Sequence, residues 1–330
     1  MTHTVVPLGV HVLDVLVRPV EAIPEGQGGQ LVEQIRATAA GTAGGTALTL
    51  AKLGARTRSA GAIGTDPLGD LLVELLQRSG VETDLLLRRD DVQTSASVLP
   101  IRPNGERPAF HVIGANATYG ADDAPLDVIA AADVLHLGAP EFMGGEQAAR
   151  ILEHARAHGT TTAADVLAGG DPGLLEWIAP AFPHLDVFLP NDEQVLGFSG
   201  EDDLEAGCRV LLERGVGMVA ATTGADGALI VTGEGEPLRV PAFAVDVIDT
   251  TGCGDAFSAG FLVGLGLGRA PREAAVLGNA AAALVSGGLG SDHGDFDLAA
   301  ADAFVKTAAF LGCFANCPRT ERQSLAGVSC

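Results

Sequence analysis

Residues 247–261, VIDTTGCGDAFSAGF, place a short glycine turn directly before an apolar helical run. This order predicts a strand that ends near Ile248, a turn that holds Gly252 and Gly254, and a helix from about Asp255. Backbone N–H groups in the first turn of a helix have no intrahelical acceptor and lie at the positive end of the helix dipole. Such a turn stabilises an anion without a lysine, so the stretch predicts an anion site.

Asp255 stands beside this predicted site, where a carboxylate would repel the anion. Its presence is explained if it accepts the proton of a hydroxyl group that attacks a phosphoryl group. The alternative is an ordinary N-cap aspartate after a glycine turn. The spacing alone leaves both interpretations open.

The chain has two lysines, Lys52 and Lys306, and neither follows a glycine. A Gly-x-x-x-x-Gly-Lys phosphate loop is therefore absent. A Gly-x-Gly-x-x-Gly turn after the first strand is also missing, which disfavours a dehydrogenase. If the protein transfers phosphate, then backbone amides, Mg²⁺ and arginine must neutralise the charge.

Short apolar runs alternate with helical ones along most of the sequence, which predicts a parallel sheet covered by helices. The runs at 5–16, 134–137, 162–165, 187–189, 218–222 and 228–231 are predicted strands, and those at 46–53, 68–78, 146–158, 202–214 and 256–267 are predicted helices.

Two polar regions, 17–37 and 94–111, interrupt this alternation, and the second contains the turn-forming tripeptide Pro103-Asn104-Gly105. They predict a small inserted sheet, a lid formed by about 12–37 and 94–117. The rest of 1–312 is predicted to be one domain. Residues 313–330 show no periodicity and are predicted to form a loosely ordered tail.

Forty-two acidic and 20 basic residues give a net charge of −22 over 330 residues. A surface this acidic repels nucleic-acid phosphates, which argues against a nucleic-acid partner. The five cysteines suggest no disulfide framework. The chain start lacks a basic leader, and the uncharged stretch 274–291 is rich in glycine and serine, unlike a membrane span. We expect a cytoplasmic protein without a membrane partner.

Residues 249–265, DTTGCGDAFSAGFLVGL, resemble the C-terminal signature of the pfkB, or ribokinase-like, family of sugar and nucleoside kinases. Residues 41–86 resemble its N-terminal signature, and PNDEQ at 190–194 and TTGADGAL at 222–229 follow in the family's order. The resemblance covers roughly residues 5–310. It implies a three-layer α/β/α sandwich with a mostly parallel central sheet, a small β-sheet lid, and a kinase that uses ATP and Mg²⁺.

The resemblance also implies catalytic roles. Asp255 would take the proton of the acceptor hydroxyl, and the amides of Gly252, Cys253 and Gly254 would form an anion hole for the phosphoryl group. Cys253 stands where the family usually has Ala or Gly, and we expect its thiol to pack rather than react.

On the acceptor side, Asp14 resembles the family's sugar-hydroxyl ligand, the alternative being a solvent-facing strand carboxylate. Gly41 and Gly45 stand where the family has a glycine pair and a later asparagine, so a polar contact is lost while close backbone approach remains possible. A plain loop before a helix explains these glycines as well. Glu141 and Asn116 are further expected sugar contacts.

On the nucleotide side, the family's Asn-x-x-Glu is here Asn191 to Gln194. Asn191 is expected near the phosphates, and Glu193 and Gln194 near Mg²⁺ through water, because Mg²⁺ keeps several waters. The alternative is an acidic helix start. The remaining implied nucleotide contacts are Thr222, Gly224, Gly227, Gly252, Gly254 and Asn279, although a plain hairpin also explains Gly224 and Gly227.

Asp249, Thr251, Ser286 and Gly290 match positions that hold a monovalent cation in some members, which implies a K⁺ site. The predicted reaction is ATP-dependent phosphorylation of a hydroxymethyl group on a small sugar such as ribose, fructose or a keto-deoxy sugar. A nucleoside kinase of the adenosine type and a non-catalytic sugar- or nucleotide-binding regulator are the alternatives. An apolar lid face would need covering, so a homodimer through the lid is expected.

Overall fold

The protein is described by a computed structural model over residues 3–103 and 106–311. The predicted tail at 313–330 lies outside the described residues. Within the described residues, no helix is long and apolar enough to cross a membrane.

The main sheet has nine strands in the order β13-β12-β11-β10-β9-β8-β1-β4-β5. All neighbours from β11 to β5 are parallel, whereas β12 pairs antiparallel with both β11 and the edge strand β13. The strands of this sheet are β1 (Thr4–Gly9), β4 (Arg56–Gly64), β5 (Glu82–Arg89), β8 (Val134–Gly138), β9 (Thr161–Asp165), β10 (Val187–Phe188), β11 (Met218–Thr222), β12 (Ala228–Thr232) and β13 (Leu238–Val240).

Helices cover both faces of this sheet. Side chains of α4 to α7 pack with strand residues in one core, whereas α1 and α8 to α10 share a second and α1 and α2 a third. This confirms the predicted α/β/α sandwich. The helices are α1 (Thr42–Lys52), α2 (Pro67–Arg78), α3 (Leu126–Ala130), α4 (Gly145–Ala157), α5 (Pro172–Ile178), α6 (Asp192–Ser199), α7 (Leu204–Glu213), α8 (Cys253–Gly266), α9 (Pro271–Ser286) and α10 (Leu298–Thr307).

The predicted lid is a separate four-stranded sheet in the order β3-β2-β6-β7. Strand β2 pairs antiparallel with β3 and parallel with β6, and β7 pairs antiparallel with β6. Its strands are β2 (Val12–Arg18), β3 (Gln34–Ala40), β6 (Ala96–Pro100) and β7 (Phe110–Val112).

The single strand predicted over 5–16 is wrong, because the chain leaves the main sheet at Gly9 and enters the lid at Val12. Gly9 has a φ of 130°, where glycine is favoured. The buried His11 ring lies between the two strands, with Nδ1 2.9 Å from the Gly9 carbonyl oxygen and Nε2 3.1 Å from Ser59 Oγ. A strand ending near Ile248 is also wrong: residues 247 and 248 belong to no strand, and Ile248 N–H donates to the Ser286 carbonyl.

Candidate active site

The candidate site lies at the carboxyl ends of the central parallel strands, where ligands of open α/β sheets bind. Here β1 ends at Gly9, β8 at Gly138 and β9 at Asp165. The amino ends of α1 and α8 approach each other at this edge, since Gly45 of α1 lies against Asp255 of α8.

The glycine turn before α8 has the open amides that the sequence predicts. Gly252 is the N-cap residue with a φ of 76°, and no side chain caps the helix. Within the described part of the chain, the N–H groups of Gly252 and Gly254 have no hydrogen-bond acceptor. Cys253 differs, because its N–H donates to the Thr250 carbonyl at 3.2 Å. Two of the three expected amides are therefore free to bind an anion.

The Asp255 side chain lies inside the cleft rather than in bulk solvent. A Cβ atom at Gly45 would overlap its Oδ2 atom, so the glycine leaves room for the carboxylate. Burial, and then the nearby carboxylates of Asp165 and Asp14, raise the pKa of Asp255 well above its usual range. A carboxyl with a raised pKa is a stronger base once it is ionised.

Asp165 is a member of this cluster that sequence reasoning missed. It is 5% exposed, its Oδ1 has no hydrogen-bond partner among the described residues, and His136 Nε2 lies 3.5 Å from it. The available signal was an aspartate as the last residue of a predicted buried strand. Its charge acts on Asp255 across the cleft.

The Cys253 thiol has the packing role expected from the sequence. Its Sγ lies 3.7 Å from the Ala282 carbonyl oxygen of α9. Burial, and secondarily the Asp249 carboxylate, raise its pKa to about 12. The thiol is therefore protonated at neutral pH and is a poor nucleophile.

Asp14 lies in a row of polar residues across the inner face of the lid. Cross-strand pairing aligns Thr38, Asp14, Ser97 and His111 on one face of the four strands. The Oγ atom of Ser97 lies 2.9 Å from His111 Nδ1. Burial raises the pKa of Asp14 to about 6, against the lowering effects of Ser97 and Arg107. Periodicity did not identify this row, because it depends on cross-strand register.

Glu141 lies in the turn after β8 and keeps one oxygen available. Its Oε1 accepts hydrogen bonds from the N–H groups of Leu167 and Ala168 at 2.8 and 2.9 Å. Its Oε2 is buried and has no partner among the described residues. Burial raises the pKa of this carboxyl. A buried oxygen without a hydrogen-bond donor is costly, so Glu141 is a candidate acceptor of a hydrogen bond from a ligand.

Two other expected acceptor contacts have backbone roles. The Asn116 side chain binds the backbone instead of being free for a sugar. Its Oδ1 accepts from His11 N–H at 3.1 Å, and its Nδ2 donates to the His11 carbonyl at 2.9 Å. Both ends of the amide are thereby used to fix the link between β1 and β2. Gly41 caps α1 with a φ of 84°, and a Cβ there would come within 2.6 Å of the Val10 carbonyl oxygen.

The residues expected to face the nucleotide lie at the ends of β10 and β11. Asn191 and Thr222 form a parallel bridge, and Thr222 N–H donates to the Pro190 carbonyl at 3.0 Å. Gly224 is exposed, with open space where a Cβ would stand. Gly227 has a φ of 98° and lies against the Val240 carbonyl, which fits a hairpin glycine.

Asn279 lies on α9 at the end of β13. Its Nδ2 donates to the carbonyl oxygens of Val240 and Pro241 at 3.1 and 3.0 Å. The side chain thus fixes the chain that leaves the edge strand. Its expected position near adenine stays a prediction.

Gln194 has a structural role that differs from the one expected. Its Oε1 accepts from Asn191 N–H at 2.9 Å, and its Nε2 donates to the carbonyls of Val166 and Ala168 at 3.0 Å each. Glu193, in contrast, is exposed at the start of α6. The geometry therefore offers Glu193, and not Gln194, for a contact with metal-bound water. Among residues 3–103 and 106–311, no cluster of three or more acidic, His or Cys side chains forms a metal site.

The expected monovalent-cation residues lie together but already have protein partners. Asp249 accepts from Thr251 N–H and from Gly290 N–H at 3.0 and 2.9 Å, and the Ser286 carbonyl accepts from Asp249 N–H at 3.3 Å. Arg107, which follows the lid strand β6, also reaches this point, with Nη1 3.3 Å from Asp249 Oδ1 and in contact with Thr251 Oγ1. No sequence motif marked Arg107.

The family model of the pfkB family of carbohydrate kinases matches residues 8–295. The chain is 31% identical over 250 residues to an ATP-dependent ribose-1-phosphate kinase of Halopiger xanaduensis, covering 76% of this chain and 80% of that protein. It is 30% identical over 244 residues to an uncharacterised sugar kinase of Archaeoglobus fulgidus, covering 71% and 92%.

Among solved structures, the ribokinase of Thermotoga maritima matches with a TM-score of 0.76 at 26% identity, covering 93% of this chain and 100% of that one. The chain therefore belongs to the pfkB family of carbohydrate kinases, and it is a sugar kinase, a phosphotransferase with an alcohol group as acceptor.

Proposed function

We propose that this sugar kinase transfers the γ-phosphoryl group of ATP to a hydroxymethyl group of a small sugar, of the ribose, fructose or keto-deoxy type, with Asp255 as the general base. The observation that carries the proposal is the turn at 252–255. It presents two N–H groups without acceptors next to a cleft carboxylate whose pKa is raised. Such groups suit an in-line transfer, in which positioning and charge stabilisation supply most of the catalysis.

The acceptor would lie between the lid and the ends of β1 and β8. Asp14 on the lid and Glu141 after β8 have carboxylate oxygens that can accept hydrogen bonds from sugar hydroxyls. Gly45 supplies no side chain, so the Asp255 carboxylate keeps direct access to this space. The attacking hydroxyl would give its proton to Asp255 as its oxygen bonds to phosphorus.

ATP would lie over the ends of β10 to β12, with its phosphates directed at the α8 turn. Asn191, Thr222 and Gly224 are at this surface. Mg²⁺ would neutralise charge on the transferring phosphates when bound, with Glu193 as an outer contact through water. Arg107 supplies a further positive charge from the lid, beside Thr251. This contact also draws the lid onto the turn, which would exclude water from the reaction.

The lid would also join two copies of the chain. Its outer face carries the exposed side chains of Ile35, Val98 and Phe110, of which Val98 and Phe110 are cross-strand partners. We propose that a second copy covers this apolar face, as two half-buried sheets commonly do. Light scattering would give a dimer for the unaltered protein and a monomer for Val98→Glu.

An assay of ADP release over D-ribose, D-fructose, a keto-deoxy sugar acid and adenosine tests the proposed reaction. Turnover with a sugar supports it, turnover with adenosine alone favours the nucleoside kinase, and binding without any turnover contradicts catalysis. Asp255→Asn is the matched control, because it keeps the shape of the side chain and removes the base. A cytoplasmic location stays a prediction.

A further inference from the structure

Lys52, one of only two lysines in the chain, is the last residue of α1. Its ammonium donates hydrogen bonds to three successive backbone carbonyls, those of Asp292, His293 and Gly294, at 2.8, 2.7 and 2.7 Å. An ammonium has three N–H donors, so all of them are used. The Nζ atom also lies 4.9 Å from the centroid of the Phe296 ring.

The loop that supplies these carbonyls, residues 287–294, also supports the glycine turn. Gly290 N–H donates to Asp249 Oδ2 at 2.9 Å. Ser291 packs on Gly252 so closely that a Cβ on the glycine would lie 2.6 Å from Ser291 Oγ. The position of the loop therefore sets the position of the turn.

Arginine from the lid holds the same loop. Arg36 on β3 donates to the Leu289 carbonyl at 2.7 Å and pairs with Asp292 at 3.0 Å. Thr38 on the same strand donates to Asp292 Oδ1 at 2.8 Å. The loop is thus clamped between α1 and the lid by two cationic side chains.

Three carbonyl dipoles that converge on one point repel each other unless a cation lies between them. Burial lowers the pKa of Lys52 to about 8, while Asp292 and Asp295 favour the charged form. Lys52 therefore carries its charge at neutral pH. Backbone carbonyls are also the usual ligands of hard metal cations, so this is the coordination that a free cation would use.

We propose that Lys52 is a positioning residue for phosphoryl transfer: its tethered ammonium is the built-in cation of the 287–294 loop, and it makes a free monovalent cation unnecessary for ordering the turn at Gly252. The proposal rests on the proposed function for the role of the turn. The carbonyls that Lys52 binds are not the residues of the predicted K⁺ site, although Gly290 of that site belongs to the same loop. Lys52 supplies a positive charge to this loop from the protein itself.

The test compares Lys52→Met with Lys52→Arg and with Lys306→Met, the change of the exposed second lysine on α10. Turnover is followed as ADP release with D-ribose or D-fructose, in tetramethylammonium chloride and with KCl or NH₄Cl added. The unaltered protein and Lys306→Met should show no dependence on K⁺. Lys52→Met should lose kcat by roughly 10²-fold, the cost of about 1 Å of misplacement, with little change in KM for ATP.

Potassium or ammonium should restore much of the turnover of Lys52→Met, because they fit the vacated carbonyl cradle and tetramethylammonium does not. Lys52→Arg should keep most activity. A normal kcat for Lys52→Met without K⁺, or a loss that neither small cation restores, overturns the proposal. Strong K⁺ activation of the unaltered protein overturns it as well. If Lys52→Met does not fold, the K⁺ dependence of ADP release by the unaltered protein is by itself sufficient to test the proposal.

Hydrogen exchange separates this proposal from the proposed function. Amides of 287–294 should exchange faster in Lys52→Met and slow again with K⁺, whether or not any tested sugar is phosphorylated. Unchanged exchange overturns the role of Lys52. A lack of sugar turnover in the unaltered protein, with the expected exchange result, would instead count against the proposed reaction alone.

Discussion

Two helices, α6 and α8, begin at the carboxyl edge of the sheet, and they differ in whether side chains accept hydrogen bonds from their first N–H groups. At α6, Asn191 and Gln194 form a capping box, with hydrogen bonds of 2.8 and 2.9 Å between side chains and backbone. At α8, the N-cap is Gly252, and no side chain caps the helix. One start satisfies its own donors, and the other leaves them for a ligand.

This difference shows how residue type at the N-cap separates a structural helix start from a binding one. A side-chain cap stabilises a helix by about 1 kcal/mol, which the α8 start gives up. The glycine in turn lets Ser291 approach and leaves the N–H groups of Gly252 and Gly254 exposed to the cleft. The uncapped start of α8, with the Asp255 carboxyl beside it, is therefore the place where we expect phosphoryl transfer.

The largest expected effect follows from Asp255→Asn. Loss of the base should lower kcat by roughly 10²- to 10⁴-fold, with ATP binding retained. The same change should raise Tm at neutral pH. Folding raises the pKa of Asp255, so between the pKa of the unfolded chain and the higher pKa of the folded protein the folded state binds more protons. The free energy of unfolding of the unaltered protein therefore falls as pH rises through this range.

Measurement of Tm across pH checks the second half of this prediction. The variant and the unaltered protein should agree at acid pH, where Asp255 is protonated, and diverge above it. Near-normal turnover of the variant would contradict the role of Asp255 as the base. Equal Tm values at every pH would contradict the raised pKa of Asp255 in the folded protein.

Gly45→Ala should have the next largest effect. The added methyl group would overlap Asp255 Oδ2 and displace the base, which should cost roughly 10²-fold in kcat. Gly44→Ala is a matched control, because its Cβ would make only ordinary contacts with His11, the nearest at 3.4 Å from Cδ2, while it gains the same helix propensity. Equal kcat values for the two variants would show that the contact at Gly45 is unimportant.

The sequence predicted the layers, the lid and the α8 turn, because these depend on local periodicity and on one glycine-rich turn. It missed Asp165, Arg107 and the polar row of the lid, because their proximity depends on strand order and cross-strand register. It also gave Gln194 the role of a family glutamate. A capping box was visible in the spacing of Asn191 and Gln194, but the carbonyls of Val166 and Ala168 come from a distant segment.

A smaller effect should appear when Asp14 titrates. Its pKa is raised to about 6, so the carboxylate is lost as pH falls through that value. The KM for the sugar should then rise, by roughly tenfold per pH unit at most, while the KM for ATP stays level. Kinetics of Asp14→Asn serve as the control, since its KM should be high and flat over the same range. If the KM of the unaltered protein for the sugar does not change with pH, Asp14 does not bind the acceptor.

The smallest effect on catalysis is expected for Gln194→Ala, at the capped helix start. The change removes one cap and two hydrogen bonds, so the free energy of unfolding should fall by about 1–3 kcal/mol. The Mg²⁺ concentration that gives half-maximal activity should stay unchanged, whereas it should increase in Glu193→Gln, because only Glu193 has a carboxylate free to face metal-bound water. A higher Mg²⁺ requirement in Gln194→Ala would contradict this assignment. It would show that the side-chain amide of Gln194 contacts metal-bound water in addition to capping α6.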